Sequence, residues 1–143
     1  MTVVLDASVV VKWLLQDPQQ ESDSDKATHL VEAVVKGNEQ VLQPPHWLVE
    51  VGAVLARISP ATAAEDIVML RALEFPITDG PAMLHRACKL AVDLKQHLFD
   101  TLYHAVALET PETVLITADE RYFRAARDIS GIVKLNNWTA SLR

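Results

Sequence analysis

Several things are scarce in this 143-residue sequence, and each scarcity closes off a class of protein. Cys88 is the one cysteine, so no intrachain disulfide can form and a reducing compartment is the expectation. No apolar run reaches the roughly 18 residues of a membrane span. No basic region precedes the apolar residues at the start, as a secretory signal would require, so a cytoplasmic location is expected. Positive charge is also short. Lys and Arg number 13 against 19 Asp and Glu, a formal net charge of −6. Taken alone, that balance weighs against nucleic acid, because phosphate binding usually rests on a basic surface. The objection holds only if the acids are spread as solvated charge, so their positions matter.

What is present is ordinary for a globular domain: 50% hydrophobic and 22% charged residues, in a length suited to one domain over residues 1–143. Val3-Val4-Leu5 reads as a buried strand ending at Asp6, followed by a helix over 7–15. Residues 17–25 hold four acids and no base, the composition of a surface loop. Helices are expected over about 26–36, 46–58, 60–73 (with Ser59 as cap and Pro60 at its first position), 82–95, 98–109 and 120–127. Further strands are expected at 40–43, 75–77, 114–116 and 132–135. Five short apolar strands separated by helices predict a parallel sheet with helices on both faces, an α/β sandwich. In open parallel sheets ligands bind at the carboxyl ends of the strands.

Four acids stand out in that frame. Asp6 closes the first strand and Asp119 lies just beyond the fourth, in Leu115-Ile116-Thr117-Ala118-Asp119. Glu50 is the sole charge in Trp47-Leu48-Val49-Glu50-Val51-Gly52-Ala53-Val54-Leu55-Ala56. Asp100 sits in Leu98-Phe99-Asp100-Thr101-Leu102-Tyr103, with no lysine or arginine within four positions. Each has a plain structural role open to it. Asp6 can cap the helix that follows. Thr117-Ala118-Asp119-Glu120 fits a capping box. Glu50 or Asp100 can pair with a distant arginine. One arrangement accounts for all four together: convergence on a divalent cation, whose charge makes clustered carboxylates favourable. All-oxygen ligation suits Mg²⁺ or Mn²⁺, and such a site suits phosphodiester hydrolysis.

These segments resemble the PIN domain. The likeness lies in Val4-Leu5-Asp6-Ala7-Ser8, in the lone Glu50 of an apolar helix, in Phe99-Asp100-Thr101-Leu102-Tyr103-His104-Ala105 and in Leu115-Ile116-Thr117-Ala118-Asp119-Glu120-Arg121. The set is most similar to VapC-type toxins of type II toxin–antitoxin pairs. The resemblance implies a three-layer α/β/α sandwich with a five-stranded parallel sheet of order 3-2-1-4-5. It implies a metal-dependent endoribonuclease with Asp6, Glu50, Asp100 and Asp119 as its catalytic acids. Of these, Asp6, Asp100 and Asp119 are the expected metal ligands, supported by the hydroxyls of Ser8 and Thr117. It also implies an RNA substrate, a cognate antitoxin and a homodimer, for which Leu30, Val34 and Leu70 are expected as exposed apolar residues.

Other classes fit less well. A haloacid-dehalogenase phosphatase needs an Asp where Ser8 stands, and a receiver domain needs a lysine after its last strand, whereas Lys134 lies inside one. The five histidines, His29, His46, His85, His97 and His104, show no zinc-ligand spacing with one another or with Cys88, and are expected as surface or helix residues. A catalytically silent PIN-fold module that binds RNA or protein is the remaining alternative. Lys12, Arg121 and Arg124 are candidate phosphate contacts, in part because the stretch from Arg121 onward is basic. Trp13, Trp47 and Trp138 are expected in the core or a dimer contact. Because four acids fall in one expected site and four in the 17–25 loop, the negative balance is concentrated and does not exclude RNA.

Overall fold

The fold is described from a computed structural model covering residues 1–16 and 23–140. The element order is β1 (Thr2–Leu5), α1 (Ala7–Leu15), α2 (Ser24–Val35), β2 (Gln40–Val41), α3 (Trp47–Ile58), α4 (Ala63–Ala72), α5 (Pro81–Leu94), α6 (Leu98–Glu109), β3 (Thr113–Thr117), α7 (Glu120–Ala125) and β4 (Ile132–Lys134). A 3₁₀ turn, Leu135–Asn137, follows. Most of the 17–25 acidic segment lies outside the described residues. Asp23 forms a left-handed turn and Asp25 already belongs to the first turn of α2.

Four strands, not five, form the sheet, all parallel, in the order β2-β1-β3-β4. The expected strand at Phe75-Pro76-Ile77 makes one isolated parallel bridge, Gln43↔Ile77, beyond β2. The cause is local: Pro76 has no N–H to donate, and Pro44-Pro45 stop the partner chain directly after Gln43. The helix expected from Pro60 begins instead at Ala63. Ser59 is spent closing α3, its N–H donating to Leu55 O, while its hydroxyl shares a 2.9 Å hydrogen bond with Thr62 Oγ1.

The core is built from β-branched strand residues (Val3, Val4, Ile116) and one helix surrounded by protein. In α6 the run Thr101–Ala107 is buried continuously, so this helix presents apolar residues on every side and packs against β1, β3 and α5. Thr101 Oγ1 donates to Ala87 O at 2.8 Å, which ties α6 to α5 without leaving a buried hydroxyl unpaired. Leu30 and Leu70, expected at the surface, are 0% and 1% exposed, and Val34 is half-buried. Leu30 lies on the buried stripe Ala27-Leu30-Ala33 of α2, which the 3.6-residue period turns inward. Trp47 and Trp138 are buried and Trp13 packs against the core, as expected. Among the described residues, no helix is long and apolar enough to cross a membrane.

This topology places the chemistry. β1 and β3 are neighbours in register, Leu5 opposite Ile116, so the residues that follow them emerge side by side. From β1 the chain crosses to β2, and from β3 it crosses to β4 on the other side. The two crossovers diverge, which opens a crevice at the carboxyl ends of β1 and β3.

Candidate active site

Asp6 begins the site. It caps α1, its carboxylate accepting the Ser8 N–H at 3.0 Å and the Ser8 hydroxyl. Both bonds fall on Oδ2, which leaves the other oxygen for a further partner. Ser8 Oγ in turn accepts the Ala118 N–H at 3.0 Å, so one hydroxyl joins the end of β3 to the end of β1. Thr117, fully buried, accepts the Asp119 N–H at 3.0 Å, and Asp119 caps α7 by accepting the Tyr122 N–H at 3.0 Å. The capping residue is thus Asp119 itself and not Thr117. For Asp6 and Asp119, capping and a place in the site coexist, because a strand's carboxyl end and the next helix's amino end are the same point in the chain.

Glu50 and Asp100 enter from α3 and the first turn of α6. One carboxylate oxygen from each of Asp6, Glu50 and Asp100 lies within 4.8 Å of the others. This is the one such group of metal-binding side chains among the described residues. Asp119, expected as a metal ligand, lines the same cleft but stands outside that triplet, whereas Glu50, expected as a catalytic acid, falls within it. The cleft, about 420 Å³, is also lined by Ser8, Lys12, Val54, Arg57 and Ala118. Arg121 and Arg124 are exposed on α7.

Crowding of acids has an electrostatic consequence. Burial pushes the Asp6 carboxyl up to about 7, against the opposing pull of the Ser8 hydrogen bonds, and the charges of Glu50 and Asp100 push it further. Asp100 is raised to about 6 by burial and by Glu50 and Asp119, with His97 and His46 pulling the other way. The Tyr103 hydroxyl is held firmly protonated, first by burial and then by Asp6 and Glu50. It faces Glu50, and its oxygen is buried without a well-formed hydrogen bond; Glu50 Oε2, also buried, has the His46 imidazole at 3.1 Å. Three carboxylates this close, two of them with raised carboxyls, fit a cation with all-oxygen ligation, and the donor set suits Mg²⁺ or Mn²⁺.

Sequence inspection missed three contributors. His46 lies four residues before Glu50, its Nε2 at 3.1 Å from Glu50 Oε2 and donating to Phe99 O at 2.8 Å. Tyr103 lies one helical turn after Asp100, and Arg57 two turns after Glu50. The i+3, i+4 and i+7 spacings carried those signals. His97 accepts the Phe99 N–H and caps α6, while His104 is fully buried between Tyr122 Oη (2.9 Å) and Ser130 O (2.7 Å). No zinc set forms among the described histidines.

The PIN domain family matches residues 3–128 of the sequence. The chain belongs to the PIN domain family. Solved structures similar to this PIN domain include a toxin–antitoxin complex from Klebsiella pneumoniae, with TM-score 0.65 and 18% identity over 93% of this chain and 97% of that one. VapBC2 from Rickettsia felis, bound to a DNA fragment from its promoter, has TM-score 0.65 and 14% identity over 94% and 97%. PAE2754 from Pyrobaculum aerophilum has TM-score 0.63 and 18% identity over 95% and 90%. At these identities the likeness is one of fold. A search of curated proteins found no matching relative.

Proposed function

We propose that this PIN domain is a Mg²⁺- or Mn²⁺-dependent endoribonuclease, the toxin of a type II toxin–antitoxin pair restrained by a cognate antitoxin. The observation that carries the proposal is the convergence of Asp6, Glu50 and Asp100 within 4.8 Å, two of them with carboxyls raised first by burial and then by neighbouring acids. Support for the antitoxin comes from the similar folds solved as toxin–antitoxin complexes. A homodimer belongs to the same proposal by family likeness.

In this scheme Asp6, Glu50 and Asp100 hold the ion. A divalent ion held there would lower the pKa of a bound water and offset charge on the phosphoryl group. Ser8 keeps Asp6 Oδ2 occupied, so the carboxylate cannot swing away. Asp119 has one oxygen committed to its cap and the other able to orient or deprotonate the attacking water. Tyr103 keeps its proton and can donate a hydrogen bond to Glu50 or to a water. Lys12 and Arg57, on the walls of the cleft, contact phosphates flanking the scissile bond, and Arg121 and Arg124 extend that path over α7.

The deciding experiment incubates total cellular RNA with the protein in EDTA, Mg²⁺ or Mn²⁺ and maps the cut ends. Cleavage is expected with metal, and none with metal in the Asp100→Asn variant. RNA that stays intact with either ion removes the enzyme and leaves a silent binding module. A second measurement tests the RNA path in an Asp100→Asn background. Arg57→Glu is expected to weaken RNA binding by about tenfold and to lower the log–log salt slope by roughly 1 per lost phosphate contact. An unchanged slope removes Arg57 from the path.

A further inference from the structure

β2 is two residues long, and its ladder with β1 stops early. Leu42 N–H donates to Val3 O at 3.0 Å, and the next pair in register is Gln43 beside Leu5. Continuing the parallel ladder would pair Leu5 with the Leu42 carbonyl and the N–H of residue 44, because the main chain of Gln43, like that of Val41, faces away from β1. The Gln43 N–H donates to Pro76 O and its carbonyl accepts the Thr78 N–H, each at 2.9 Å. Pro44 and Pro45 follow and have no N–H to offer. Leu5, buried at the end of β1, is therefore left with an N–H and a C=O pointing at an edge from which the strand has gone.

The Gln43 side chain supplies both missing partners. Oε1 accepts the Leu5 N–H at 2.8 Å and Nε2 donates to Leu5 O at 2.9 Å. The side chain is fully buried. A primary amide is the one uncharged side-chain group that offers a donor and an acceptor in this pairing. The Leu5 carbonyl belongs to the same peptide plane as the Asp6 N–H, which donates to Ile116 O at 3.1 Å. That plane is thus gripped on both edges, by Gln43 on one and β3 on the other, immediately before the carboxylate that opens the site.

We propose that Gln43 is a positioning residue for the metal centre: its amide replaces a strand partner for Leu5 and fixes the Leu5–Asp6 peptide from which Asp6 reaches Glu50 and Asp100. The proposal rests on the metal site described above. Methionine fills a similar volume with neither hydrogen bond, leaving both Leu5 groups unpaired and the peptide plane free to tilt. Asparagine keeps the amide but is one methylene short of Leu5.

The test measures Mn²⁺ affinity by calorimetry on the full chain, below the unfolding temperature of every variant, with no RNA present. Gln43→Met and Gln43→Asn are each expected to bind Mn²⁺ about tenfold or more weakly than the wild type, in the range seen when groups orienting a ligand are removed. Wild-type affinity in either folded variant overturns the role of Gln43, even where the variant melts earlier. Wild-type protein that binds no Mn²⁺ overturns the metal site itself, a separate outcome. If neither variant folds, amide exchange in the wild type decides. The Leu5 amide is expected to exchange as slowly as that of Asp6, and fast exchange at Leu5 alone overturns the proposal.

Discussion

Asp6→Asn is expected to stop RNA cleavage and, in the absence of metal, to make the protein more stable. Activity is expected to fall by at least about 100-fold, equivalent to roughly 2.7 kcal/mol of barrier, since a neutral amide is a poor ligand for a hard cation. Stability moves the other way for an electrostatic reason. The folded Asp6 carboxyl is raised from 3.8 to about 7, so the folded state binds more protons than the unfolded state between those values. Unfolding free energy then falls as pH rises through that window, and the loss is complete above pH 7. The cost at pH 8 is on the order of 4 kcal/mol. Asparagine removes the charge, while its carbonyl oxygen can still accept from Ser8. Urea unfolding in EDTA at pH 8 should show the variant more stable by a few kcal/mol, and the gain should vanish by about pH 4. Equal stability of the two proteins at pH 8 would contradict a buried, repelling carboxylate.

The second large effect is stabilisation by metal, and its dependence on pH. A ligand bound only by the folded state contributes about 2.7 kcal/mol at a hundred times its Kd. For a domain of this size that is an upward shift of unfolding temperature of roughly 8 °C. Binding needs Asp6 and Asp100 ionised, and their carboxyls lie at about 7 and about 6. The shift with Mn²⁺ should therefore be small at pH 5.5 and large at pH 8, and binding near pH 6.5 should release protons into the buffer. Calorimetry in two buffers of different ionisation enthalpy reads that release. A metal-induced shift equal at both pH values, or no shift at all, would count against the carboxylate triplet as the binding site.

How far the site could be read from the sequence follows from how each part is encoded. Asp6 and Asp119 were legible because a strand's end announces itself locally: a β-branched run stops at an acid before a helix. Glu50 and Asp100 were legible because a charge within an apolar helix needs a partner. His46, Tyr103 and Arg57 were missed although their spacings put them on the faces of the acids they accompany. They read as ordinary helix residues until the helices are docked. The fifth strand failed on prolines, the absent N–H of Pro76 and the Pro44-Pro45 stop in its partner, which a hydrophobic pattern does not register. Leu30 was placed outside because pattern alone does not say which element covers the apolar face of α2, and Leu70 because α4 has almost no amphipathic pattern to mark its one buried residue.

The sequence by itself determined the alternation of strands and helices, the parallel sheet and the four carboxylates, since all of these depend on residue type and short-range spacing. Tertiary structure alone decided which carboxylates meet. Asp6, Glu50 and Asp100 are separated by 44 and 50 positions, and their approach within 4.8 Å depends on α3 packing against α1 and α6 against β1 and β3. It also decided that Asp119 lines the same cleft outside the triplet, with one oxygen accepting the Tyr122 N–H. The same holds for Gln43, whose polar side chain lies where a strand ends one residue too soon. The reason is common to all three: distance between side chains remote in sequence is set by packing, which no local pattern contains.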